Sequence, residues 1–191
     1  MTGVIPDALT RRRFGGAVLV LAGIAIAAFV LWPEGGDERS TRAPVRLVSV
    51  PQLGLALAHP RSWKQSAARR ALRLRSSDGS AILTFATPVA GRHSERVKAA
   101  LKRALLKRLK PAKVVRDGPG RLGNRRVSSF EINGRTRAGR VRALALVGSN
   151  PYRTYAVTLL TGGRPSRRRL AEVTQILATV RLSKPVRGFE G

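Results

Sequence analysis

The stretch ALRLRSSDGSAILTFATPV, residues 71–89, decides the fold. From Ala71 to Arg75 apolar and basic side chains alternate, the period-two pattern of a strand with one face in a core and one in water. A second apolar run starts at Ala81. Between the two, Asp78-Gly79 supplies the residue pair that a tight hairpin turn favours. Strands joined so closely must run antiparallel.

On the C-terminal side, Ser94 and Glu95 read as the opening of a helix, a cap followed by a favourable first-turn acid. Val97, Ala100, Leu101, Ala104, Leu105 and Leu109 keep one face apolar at helical spacing, and Pro111 ends the helix. Four strand-like runs follow: AKVVRD, RRVSSFEI, RVRALALVG and YRTYAVTLLTG. Asn133-Gly134 reads as the turn between the second and third of these, and Asn150-Pro151 breaks the chain before the fourth. A last helix is expected from Ser166 to Ala178, with Leu170, Val173, Ile176 and Leu177 on its buried side. The short apolar TVRL closes the domain. On the N-terminal side, LGLALAHP has strand character and ends at Pro60. The order β-β-β-α-β-β-β-β-α predicts an α+β domain, an antiparallel β-sheet flanked by two main helices.

Residues 54–63, GLALAHPRSW, resemble the opening of PsbP-like domains. That family includes the photosystem II extrinsic subunit and LpqN-type actinobacterial lipoproteins. Its start is a strand of Gly-apolar-x-apolar type ending in Pro-x-x-Trp, matched by Gly54, Leu55, Leu57, Pro60 and Trp63. The later element order and the closing helix with its short apolar tail are also similar. The resemblance implies an α/β/α sandwich and a non-enzymatic, extracytoplasmic binding or assembly role. It brings no catalytic motif. The heavy Arg load departs from the family and leaves a shared partner open.

Ahead of this domain, Phe14 to Trp32 is an uncharged and mostly apolar run. At a rise of 1.5 Å per residue it matches a hydrocarbon core of about 30 Å. Ala25-Ile26-Ala27 resembles a signal-peptidase site, but the apolar run continues to Trp32, beyond the shorter stretch of a cleavable signal. Thr10 to Phe14 also resembles a twin-arginine export motif, although the segment is more apolar than such signals. The expectation is an uncleaved anchor, with a cleaved signal as the alternative. Arg11, Arg12 and Arg13 keep residues 1–13 in the cytoplasm. Residues 14–32 then form the transmembrane helix, 33–44 a flexible linker, 45–185 an extracytoplasmic PsbP-like domain and 186–191 a C-terminal tail.

The chain of 191 residues carries 37 Lys and Arg against ten acidic residues, a formal net charge of +27, and no cysteine. A domain of this size builds a core without disulfides. The missing cysteine also excludes a lipoprotein lipid anchor and thiolate zinc sites. The Arg excess fits the codon bias of a GC-rich genome. Whatever its origin, such a surface attracts anionic polymers and lipid head groups. Aromatic content of only 5% argues against nucleic acid, where bases stack on aromatics interleaved with basic groups.

No cofactor is expected. GPGRLG, Gly118 to Gly123, has the spacing of a dinucleotide loop. However, the residues from Arg125 onward read as a strand rather than the helix such a loop must open, so it reads as a turn. His59 and His93 each stand alone, and no local spacing pairs two carboxylates for acid/base work. Trp63, Phe85 and Phe130 read as core. The anion-binding candidates are Lys98, Lys102 and Lys107 on the polar side of the first helix, and Arg164, Arg167, Arg168 and Arg169 around the start of the last. Cations at a helix N-terminus oppose its dipole, and free N–H groups beside guanidinium groups could receive a phosphate or carboxylate. The functional expectation is a membrane-anchored, extracytoplasmic, non-enzymatic domain. Its partner would be an anionic envelope polymer, lipid head groups or an acidic protein. The alternatives are an envelope hydrolase whose carboxylate pair is assembled by the fold, and a surface DNA-binding protein.

Overall fold

Val45 opens the first strand of a computed structural model that describes residues 44–186. The expected cytoplasmic N-terminus, transmembrane run and nearly all of the linker lie outside the described residues, as does the tail after Val186. Among the described residues no helix is long and apolar enough to cross a membrane.

The elements are β1 (Val45–Val50), β2 (Leu55–Pro60), β3 (Lys64–Ala68), β4 (Ala71–Arg75), β5 (Ala81–Ala90), α1 (Ser94–Arg108), β6 (Ala112–Leu122), β7 (Arg125–Thr136), β8 (Gly139–Ser149), β9 (Arg153–Gly162), α2 (Arg167–Ala178) and β10 (Arg181–Leu182). Every pairing is antiparallel, but the strands form two sheets where the sequence suggested one. The larger has the order β3-β4-β5-β9-β8-β7-β6, and the smaller β1-β2-β10. The 71–89 hairpin forms as expected. Asp78 accepts hydrogen bonds from the Ser76 hydroxyl at 2.6 Å and the Ser80 N–H at 3.0 Å, and Gly79 takes a φ of 74°.

Alternation along the large sheet divides two cores. Ile82, Phe130, Ile132, Ala143, Ala145 and Leu160 face α1, meeting its Val97, Leu101 and Leu105. Leu72, Leu74, Leu83, Phe85, Leu146 and Val157 face the other way, toward Val173 and Ile176 of α2, Trp63, and Leu55 and Leu57 of the small sheet. The second outer layer is therefore a helix and a small sheet side by side. Beyond Ala56 the outer edge of β2 has no strand partner from β10. There the Thr179 hydroxyl accepts the Ala58 N–H at 2.9 Å and lies 3.2 Å from the Ala58 carbonyl.

Four local expectations are corrected. Asn133 and Gly134 lie inside β7, and the turn falls at Arg137 and Ala138. The glycine serves close approach instead: a Cβ at Gly134 would come within 2.6 Å of the Leu109 Cβ. GPGRLG is likewise mostly strand, since β6 runs to Leu122 and only Gly123-Asn124 turns; Pro119 is tolerated because β6 is an edge strand. Ser94 is the first helical residue of α1, and the preceding His93 caps without a side-chain hydrogen bond. On α2, Leu170 is exposed and Arg169 takes its inward place, because positions 169, 173 and 176 define the face that meets the core.

Candidate functional site

The four arginines around the start of α2 do not act together. Ser166 caps the helix by accepting the Arg169 backbone N–H at 3.2 Å. The Arg169 side chain then turns inward and is only 8% exposed. Its guanidinium donates to Asp78 Oδ2 at 2.7 Å, to the Ser80 hydroxyl at 3.1 Å and to Glu172 Oε2. It also lies over the Trp63 ring, 5.5 Å from the centroid. Trp63 Nε1 donates to the same Glu172 carboxylate at 2.9 Å, and Arg168 Nε reaches its other oxygen at 3.2 Å. The cluster ties the β4–β5 hairpin and the turn after β2 to α2. Arg164 and Arg167 remain exposed at the surface.

Two carboxylates, Asp78 and Glu172, therefore meet on one guanidinium. Partial burial opposes ionisation of Asp78. Hydrogen bonds from Ser76, Ser80 and Arg169 outweigh it and hold the carboxyl well below the usual carboxylate range. A carboxyl held ionised in this way does not serve as a general acid near neutral pH. The chemistry of this cluster is cohesion.

On α1, Lys98 and Lys102 are also engaged. Their ammonium groups lie 2.6 Å and 2.7 Å from the two oxygens of Asp117 on β6, and Lys102 and Lys98 hold that carboxyl below its ordinary range. Lys107 points to solvent one turn on. His59 is buried, with Nδ1 donating to the Pro60 carbonyl at 2.8 Å. Trp63, Phe85 and Phe130 are core. Among the described residues no group of three His or acidic side chains could hold a metal ion.

A third basic region was not anticipated. At the open end of the β6–β7–β8 sheet a hollow of about 400 Å³ is lined by Lys113, Arg135 and Arg140 together with Pro111, Gly134 and Gly163. The β7–β8 register sets Arg135 directly opposite Arg140, and the β6–β7 register sets Lys113 opposite Asn133. Lys113, Arg135 and Arg140 therefore project from the same sheet face. Backbone builds the walls. The Lys110 N–H donates to the Arg135 carbonyl at 3.1 Å. A Cβ at Gly163 would meet the Arg140 Cβ at 2.7 Å, so the chain leaving β9 crosses directly beside Arg140 before reaching Arg164. The neighbouring Arg142 is already paired with Glu131 at 2.6 Å. A larger open groove, about 960 Å³, runs over the small sheet past Leu47, Ala56, Ala58, Arg125 and Arg181.

No family model and no curated protein matches the sequence. Solved structures do. The cyanobacterial PsbP (CyanoP) of Synechocystis superposes with a TM-score of 0.54 at 11% identity, over 78% of this chain and 98% of its own. The fold is PsbP-like. LpqN of Mycobacterium tuberculosis, which is involved in cell envelope biogenesis there, also matches at a TM-score of 0.47 and 12% identity, over 75% of this chain and 93% of its own. A protein of Bacteroides thetaiotaomicron matches at 0.48 and 11%, over 75% of this chain, which spans half of that protein's length. At such identities the PsbP-like likeness concerns the backbone and carries no ligand with it.

Proposed function

We propose that this PsbP-like chain is a membrane-anchored, extracytoplasmic accessory domain that binds an anionic envelope polymer, lipid head groups or an acidic protein surface. One observation carries the reading. The five carboxylates among the described residues, Asp78, Glu95, Asp117, Glu131 and Glu172, are all engaged by neighbouring side chains. None of them compensates the cations of the sheet end. A field so one-sided is matched by a polyanion, whose binding releases counterions and weakens as salt rises. The anchor is supported by the length of the apolar run 14–32 and by Arg11, Arg12 and Arg13 ahead of it.

The test uses the full chain in nanodiscs of phosphatidylcholine. It should co-sediment with phosphatidylglycerol vesicles at low salt and release steeply as salt rises. Failure to bind at low salt would remove the polyanion reading. A cysteine placed by Ser40→Cys should react with an impermeant thiol reagent on intact cells or spheroplasts. Reaction only after the membrane is opened would overturn the orientation.

A further inference from the structure

We infer that the hollow at the end of the β6–β7–β8 sheet is an oxyanion site for a phosphate group, held by Arg135, Arg140 and Lys113. The inference rests on the polyanion reading above and gives it a place and a ligand class.

Three observations converge. First, Arg135 and Arg140 are direct cross-strand neighbours. Side chains in that relation have Cβ atoms about 4.5–5.5 Å apart, and like charges there oppose the pairing unless an anion lies between them. Second, Lys113 lines the same hollow, and none of the residues lining it is acidic. Arg142, the next outward arginine along β8, has its carboxylate in Glu131, so the absence of one at Arg135 and Arg140 is a local difference within one strand. Third, backbone walls the cation face: a Cβ at Gly163 would meet the Arg140 Cβ at 2.7 Å, so the chain leaving β9 passes directly beside that arginine. The cations therefore surround a concave space.

The ligand class follows from counting donors. A carboxylate offers two oxygens, which a single guanidinium fork satisfies. Two guanidinium groups and an ammonium suit a group with three or four acceptor oxygens and up to two charges, which is a phosphate. The hollow is open enough to admit such a group as part of a longer ester. Lipid head groups and phosphate-bearing polymers share this chemistry.

A second arginine pair provides the control. Arg121 and Arg126 are also directly opposite, across β6 and β7, but near the Gly123-Asn124 turn at the far end of the hairpin. The full chain in phosphatidylcholine nanodiscs is titrated with inorganic phosphate, short-chain polyphosphate and phosphatidylglycerol vesicles, as wild type, R135Q/R140Q and R121Q/R126Q. The expected result is at least a tenfold loss of polyphosphate or vesicle affinity in R135Q/R140Q, less than threefold in R121Q/R126Q, and competition by inorganic phosphate in the wild type and R121Q/R126Q but not in R135Q/R140Q. A loss confined to polyphosphate assigns the site to a soluble polymer, and one confined to vesicles assigns it to head groups. Equal losses from the two pairs would overturn the site while leaving salt-sensitive polyanion binding in place. A wild type that binds none of the three probes at low salt would remove both.

Discussion

At the start of α2, Arg169 lies buried between Asp78 and Glu172 with an aromatic ring beneath it, whereas at the end of the β7–β8 hairpin Arg135 and Arg140 face each other with no carboxylate at hand among the described residues. The side chain is the same, and both stretches are rich in arginine. The difference lies in what the fold brings from elsewhere. Trp63 and Asp78 reach α2 from the opposite part of the chain and turn one arginine of a basic cluster into a structural tie. Among the described residues nothing comparable reaches the hairpin end, and the proposed site rests on that charge. In so basic a chain, the few carboxylates decide which arginines are drawn into the fold.

The contrast can be broken most directly at Arg169. Arg169→Met removes the cation that two carboxylates share, and unfolding in urea should show a loss of about 3 kcal/mol, in the range for breaking a buried pair from one side. Arg169→Lys should recover only part of it, because an ammonium cannot reproduce the fork. An unchanged midpoint in the Met variant would mean that the cluster is not cohesive.

Trp63→Phe keeps most of the packing but deletes the N–H that reaches Glu172. A loss of about 1–2 kcal/mol is expected from the same measurement.

A smaller effect concerns pH. The folded Asp78 carboxyl titrates below its unfolded value, so it contributes stability above the ordinary carboxylate range and loses it as pH falls below about 4 toward the folded value. Because this side chain is 34% exposed, solvent screens part of the effect. Melting temperatures followed from pH 6 to pH 2 should fall less steeply in Asp78→Asn than in the wild type. Parallel curves would contradict the linkage.

The smallest change in stability belongs to the other region. Arg135→Gln with Arg140→Gln should leave unfolding within about 0.5 kcal/mol of wild type, or raise stability slightly by relieving repulsion. A large loss would show that this pair also holds the fold together.

Much of the scaffold was legible in the sequence. The Asp78-Gly79 hairpin, both helices and the Pro-x-x-Trp strand carry local signals, and they led to the PsbP-like backbone. β3 was not legible, because all five of its residues are exposed and its sequence KQSAA has no apolar alternation. The Arg169 cluster offered only a faint local sign, the spacing of Arg168 and Arg169 to Glu172. Its other partners lie 106 and 91 positions away in sequence, at Trp63 and Asp78, where no periodicity argument reaches. The hairpin-end site was hidden by one misplaced turn. Reading Asn133-Gly134 as the reversal separates Arg135 from Arg140. Placing the turn at Arg137 and Ala138 sets them face to face, and the RTRAGR stretch becomes two sides of one hollow.

The Thr179 hydroxyl, which occupies the place of a missing strand beside Ala58, works as a substitute for main chain. Where β10 stops, the Ala58 N–H of β2 would otherwise be left without a partner at a buried position. One oxygen at the end of α2 both accepts from that N–H and lies within reach of the carbonyl, and so fastens the helix to the small sheet. Thr179→Val, nearly identical in shape, would keep the packing and lose the fastening.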